Sequence, residues 1–101
     1  MKAHLKSWMN DSYVETPLLL YPGTVSKYYE PLGTVLVIGS WNYPFTNIFM
    51  PLVSAIASGN TAILKPSEMA VESAKLLEKM IHEALDNECY RVVNGAKETS
   101  V

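Results

Sequence analysis

Residues 33 to 68 read GTVLVIGSWNYPFTNIFMPLVSAIASGNTAILKPSE, and this stretch decides the fold. Thr34 to Ile38 is an apolar, β-branched run without polar alternation. It predicts a strand buried on both faces, as in a parallel sheet. Gly39 and Ser40 end it. Pro44 suits a helix start, where its missing N–H costs nothing. Phe45 to Ser58 is apolar nearly all round, so this helix is expected to be buried on most sides. Pro51 must kink it or mark its true first turn. Gly59-Asn60 is a helix stop, and Thr61 to Leu64 reads as a second short strand.

Downstream, Ser67 is the expected N-cap of a second helix, with Ala70 standing where a capping box wants Glu or Gln. Ala70, Ala74, Leu77, Ile81 and Ala84 form one apolar stripe at helical spacing, with Glu72, Lys75, Lys79 and Glu83 on the wet face. Lys79 and Glu83 are an i, i+4 pair, worth ~0.2–0.5 kcal/mol. Tyr90 to Val93 is a third strand, closed by Asn94-Gly95. Upstream, Val25 to Glu30 reads as a short strand ended by Pro31. Thr16 to Tyr21 reads as a short extended segment among the turn signals Asn10-Asp11, Pro17 and Pro22-Gly23. Leu5, Trp8 and Met9 share one face of what reads as the last turns of a helix, a hint of truncation or trimming.

The order strand, helix, strand, helix, strand predicts an α/β fold. It is a partial, Rossmann-like βαβαβ parallel sheet, half of a doubly wound one. Residues 1–30 are read as an N-terminal arm with short strands, and 31–101 as a partial dinucleotide-binding domain. Two helices over three strands leave part of the sheet bare. Exposed apolar area is therefore expected, and with it a missing partner domain, an oligomer or marginal stability.

Bulk properties exclude several classes. A chain of 101 residues holds one domain at most. Its formal charge of -2, from 8 basic and 10 acidic residues, gives no electrostatic case for nucleic acid or an anionic membrane. Cys89 is the lone cysteine, which excludes a disulfide framework and fits a reducing, cytoplasmic compartment. The start MKAHLKSWMNDS lacks the apolar core of a signal peptide. The run from Ile48 to Ala57 falls far short of the ~20 residues that span a bilayer. His4 and His82 show no metal-ligand spacing with Cys89 or each other, so no metal site is expected.

Neither GxGxxG nor GxxxxGK[ST] occurs, so a dinucleotide would have to bind without a tight glycine loop. Asn42 follows the first strand of the βαβ unit at the edge where open α/β sheets hold ligands, and its amide could donate to a developing oxyanion. From spacing alone, a turn asparagine before Pro44 is favoured at roughly three to one. Lys65 and Glu68 flank Pro66 just past the second strand, where they could hold ribose hydroxyls. A charged surface loop at a helix start is favoured there at roughly two to one. Cys89 precedes the third strand, at the end opposite the ligand edge, and reads as a packing thiol rather than a nucleophile.

The run from Glu30 to Glu68, with WNYPF, SGN and KPSE in order, resembles the N-terminal part of an aldehyde dehydrogenase. The likeness continues through LLEKMIHEALDNECYRVVNGAKETS. LKSWM, TPLLLYPG and Glu30-Pro31-Leu32-Gly33 make it most similar to the class 3, fatty-aldehyde-like branch. The resemblance implies NAD-dependent, or NADP-dependent, oxidation of medium- or long-chain or aromatic aldehydes to carboxylates. In that chemistry a cysteine thiolate attacks the aldehyde, hydride passes to the nicotinamide, and water aided by a glutamate frees the acid. It implies that Asn42 supplies an oxyanion-hole amide. It implies that Lys65 and Glu68 hold the adenosine ribose, and that Ile38, Gly39, Ser40 and Trp41 run beside the cofactor. These implications reverse the preferences for Asn42, Lys65 and Glu68 drawn from spacing.

The family's nucleophilic cysteine, its general base and its pyrophosphate-facing helix start have no counterpart in these residues, and Cys89 does not match the nucleophile. The 101 residues alone are therefore expected to be inactive. Residues 13 to 30 represent at most part of the family's dimer-building arm. The alternative is a non-catalytic nucleotide-binding or interaction module of the same origin, forming a dimer or docking on a full-length relative.

Overall fold

The computed structural model describes residues 6, 7 and 10–96, and the chain divides into two units, Met1–Pro31 and Leu32–Val101. The helical face expected at Leu5, Trp8 and Met9 lies outside the described residues, as does His4.

In the first unit, β1 (Ser12–Val14) pairs antiparallel with β2 (Val25–Lys27), Tyr13 standing opposite Ser26. The extended segment expected over Thr16 to Tyr21 is instead a 3-10 turn at Leu18–Leu20. Leu20 N–H donates to the Pro17 carbonyl at 2.9 Å, and Gly23 N–H to the Leu20 carbonyl at 2.7 Å. Local turn bonds thus satisfy backbone that a strand would leave unpaired. The second strand stops at Lys27, short of Glu30, and Lys27 Nζ lies 4.9 Å from the centre of the Tyr29 ring.

The second unit runs β3 (Thr34–Ile38), α1 (Thr46–Ala57), β4 (Thr61–Lys65), α2 (Val71–Ala84) and β5 (Tyr90–Val92). The three strands are parallel in the order β3-β4-β5, with Thr34 level with Thr61, Ile38 with Lys65, and Leu64 with Val92. This is the expected partial Rossmann-like α/β sheet. Both connections step in the same direction, which puts both helices on one face. The core confirms this placement. Ile48, Leu52 and Ala55 of α1 and Leu77 and Ile81 of α2 meet Val37, Ala62 and Leu64 in one cluster. Ile48, Leu64 and Leu77 are fully buried, each contributing about 1.5–3 kcal/mol.

That placement corrects two expectations. The strands are not buried on both faces: Leu36, Ile38 and Ile63, which point away from the helices, are 61%, 66% and 40% exposed. Nor is α1 buried on most sides, since Met50, Val53 and Ile56 are exposed. A single layer of helices covers one side of a sheet whose composition suits two.

The α1 end follows the sequence closely. Gly59 takes φ of 79°, its N–H donates to Ile56, and Asn60 N–H donates to Ala55, the paired bonds of a Schellman motif. Pro51 lies inside α1, not in its first turn. Asn47 N–H donates to the Tyr43 carbonyl at 3.0 Å, so Pro44 sits in the first turn of this bonding pattern, as a helix-start proline should. Ser67 does not cap α2. Its hydroxyl accepts from Met69 N–H at 3.2 Å, closing a short turn, and the helix starts later at Val71.

Candidate functional site

The strands β3 and β4 end together. Ile38 is level with Lys65, and Gly39 N–H donates to the Lys65 carbonyl at 2.9 Å. The loops Gly39-Ser40-Trp41-Asn42 and Pro66-Ser67-Glu68 therefore leave from one carboxyl edge of the parallel sheet, where open α/β folds bind ligands. Gly39 is buried because the chain turns tightly over α1. A Cβ there would stand 2.8 Å from Ile48 Cδ1.

Asn42 and Trp41 are exposed at this edge. The Asn42 Oδ1 accepts from Ser40 Oγ at 2.7 Å, and Asn47 Nδ2 in turn donates to Ser40 Oγ. An Asx turn would require a backbone N–H two residues on, and that residue is Pro44, which has none. The turn reading of Asn42 thus loses its usual physical basis. Its Nδ2 makes no hydrogen bond to any described residue.

Lys65 and Glu68 come together, Nζ to Oε2 at 3.5 Å. The Lys65 side chain is only 11% exposed, and that of Glu68 is 52% exposed. The Glu68 carboxyl is held below its ordinary pKa, first by a backbone N–H of its own residue and then by the Lys65 ammonium. At 3.5 Å, and with its carboxylate partner half in solvent, the pair contributes little to stability.

Cys89 is elsewhere. Its carbonyl accepts from Ala62 N–H at the entry to β4, so the thiol stands at the sheet edge opposite Asn42, 3.9 Å from Asp86 Oδ2. His82 is exposed on α2. Among the described residues, no group of three or more His, Cys, Asp and Glu side chains could hold a metal ion. No helix among them is long and apolar enough to cross a membrane.

Sequence reasoning missed Ser40 and Asn47 as partners of Asn42. The available signal was a polar residue, Asn47, in the first turn of a mostly apolar helix. It also missed Asn60, buried at 6%, whose Oδ1 accepts from Gly33 N–H while its Nδ2 donates to Ser58 Oγ.

A sequence model described as the aldehyde dehydrogenase family matches residues 8–101. The chain belongs to the aldehyde dehydrogenase family. It is 43% identical over 97 residues to the 4,4'-diaponeurosporen-aldehyde dehydrogenase of Staphylococcus aureus, covering 96% of this chain and 21% of that protein. It is 46% identical over 92 residues to aldehyde dehydrogenase family 3 member H1 of Arabidopsis thaliana, covering 91% and 19%. A solved substrate-bound state of Staphylococcus aureus AldH superposes with TM-score 0.95 at 42% identity, covering 98% of this chain and 22% of that one. A Streptococcus pyogenes succinic semialdehyde dehydrogenase in complex with NADP+ shares the fold, with TM-score 0.81, 18% identity and coverage of 97% and 21%. The class 3 resemblance agrees with the family 3 relatives. This aldehyde dehydrogenase segment spans about a fifth of the length of the relatives it matches.

Proposed function

We propose that the chain forms the cofactor-side part of an NAD(P)-dependent aldehyde dehydrogenase that oxidises medium- or long-chain or aromatic aldehydes to carboxylates in the cytoplasm. The observation that carries this is the shared edge, where Asn42 with an unengaged Nδ2 and the Lys65–Glu68 pair leave adjacent parallel strands. In this reading Asn42 Nδ2 donates to the oxygen that gains charge as an aldehyde is attacked. Lys65 and Glu68 offer a donor and an acceptor to the adenosine ribose hydroxyls. Ile38, Gly39, Ser40 and Trp41 carry the backbone past the cofactor. When bound, the nicotinamide is the hydride acceptor. The Glu68 carboxylate repels a 2′-phosphate while Lys65 attracts one, which modestly favours NAD over NADP. Residues 1–30 serve as an arm and 31–101 as a partial dinucleotide-binding domain.

The 101 residues alone do not turn over aldehyde in this reading, because the single thiol faces the opposite edge from Asn42. The test is the purified chain mixed with NAD and a long-chain aldehyde. No NADH is expected, and steady NADH formation would overturn the statement.

A second reading, a nucleotide-binding or interaction module that dimerises or docks on a full-length relative, draws on the same Lys65–Glu68 pair and on the open sheet face. Titration calorimetry with NAD addresses it. Heat that vanishes in Glu68→Gln supports nucleotide binding at this edge, and no heat at millimolar ligand counts against it.

A further inference from the structure

We propose that Ser40 and Asn47 are positioning residues that set which end of the Asn42 amide faces outward. The proposal rests on reading Asn42 as an oxyanion donor and names what makes that reading work. A primary amide carries an acceptor at one end and donors at the other. Its terminal torsion is broad, so an exposed asparagine left to itself presents either end. Only the Nδ2 end stabilises a developing oxyanion, and the Oδ1 end repels it.

The three side chains remove that ambiguity by a chain of donors. Asn47 Nδ2 donates to Ser40 Oγ. A hydroxyl has one proton, and the Asn47 Nδ2 group has no acceptor, so the Ser40 proton must go elsewhere. It goes to Asn42 Oδ1 at 2.7 Å. That holds Oδ1 inward and leaves Nδ2 without a bond to any described residue. The relay starts from a firm base. Asn47 is half-buried in the first turn of α1, its N–H bonded to the Tyr43 carbonyl at 3.0 Å. Ser40 follows Gly39, which is pinned to β4 by its bond to the Lys65 carbonyl. Each link bonds side chain to side chain, so the relay's effect falls on Asn42 orientation rather than on backbone pairing.

The test uses the full 101-residue chain, labelled with 15N, and reads the order of the Asn42 side-chain amide by relaxation. The backbone amides of β3 and β4 report folding in the same spectra. Ser40→Ala removes the donor to Oδ1. Asn47→Asp keeps the shape but makes position 47 an acceptor at neutral pH, which draws the Ser40 proton away. Both are expected to lower the Asn42 amide order from roughly 0.8 to below about 0.6, with strand amides unchanged. Ser40→Thr, which keeps the hydroxyl, is expected to restore it.

Unchanged Asn42 order in both loss variants would overturn the proposal. So would a loss seen only together with collapse of the strand amides, since the side chains would then serve the fold. Failure of Ser40→Thr to restore order counts against the hydroxyl as the link. None of these readouts involves turnover. A kinetic result against Asn42 as oxyanion donor, obtained with Asn42→Ala in a complete dehydrogenase, is therefore distinguishable from failure of the relay.

Discussion

Gly39 owes its place to Ile48, not to a special backbone angle. A Cβ at residue 39 would stand 2.8 Å from Ile48 Cδ1 and 3.0 Å from its Cγ1, and Ile48 is wholly buried with little room to move. Gly39→Ala is expected to cost about 1–3 kcal/mol, read as a lower urea midpoint at unchanged slope. Adding Ile48→Val, which deletes Cδ1, should recover part of it; no recovery would place the strain elsewhere. Glu68 makes a second prediction. Its folded pKa lies below the ordinary value, so its contribution to stability is fully present above the unfolded pKa. That contribution is lost as pH falls through the folded pKa. Glu68→Gln is expected to flatten the acid limb of the stability curve by lowering stability near neutrality, with no change below the folded pKa. Salt should weaken the Lys65 share of the effect. Thermal midpoints from pH 7 down to 3 at two salt concentrations check this, and identical acid limbs for both chains would refute it. Gly39's partner was not legible in the sequence, since residues 39 and 48 meet only once the chain turns, whereas Lys65 and Glu68 stand three residues apart and could be read together.

Among the elements, α1 shows best how composition and placement differ. Its apolar residues surround the helix, yet only the stripe Ile48, Leu52 and Ala55 is buried. Pro51 lies on the exposed side and offers no N–H to the Asn47 carbonyl. Pro51→Ala is therefore expected to stabilise the chain by about 1–3 kcal/mol in urea unfolding. A loss of stability would show that the ring packs on something the exposure does not reveal. Of the expected α2 stripe, Ala74, Leu77 and Ile81 repeat at helical spacing and are buried, whereas Ala70 precedes the helix and Ala84 is exposed. Its start was not legible, because the Ser67 hydroxyl serves a turn three residues early. The wet face holds Glu72 with Lys75 at 3.0 Å, beside the expected Lys79 with Glu83 at 3.9 Å.

Across the second unit, one covered face and one open face set the balance. The open face carries Leu36, Ile38 and Ile63, an exposed apolar surface of the kind that drives association. Leu36→Thr with Ile63→Thr is expected to change stability by no more than about 0.5–1 kcal/mol, since neither side chain belongs to the core cluster. The same pair should lower dye binding and self-association in sedimentation. Leu64→Ala on the covered face of the same sheet is expected to cost about 2–5 kcal/mol. Equal losses from the two changes would mean that the faces are not distinct as described.

Local chemistry along the chain was enough to set the β3–α1–β4–α2–β5 order, the Gly59-Asn60 helix stop, and the family through WNYPF, SGN and KPSE, because each depends on neighbours close in sequence. Packing decided the rest. One layer of helices left a strand face open that composition alone would bury. Register brought Ile38 level with Lys65 and so joined two loops into one edge. The fold of the chain carried Asn47 back to Ser40, and Gly33 to Asn60, contacts that no local pattern encodes because the partners are chosen by where the backbone returns.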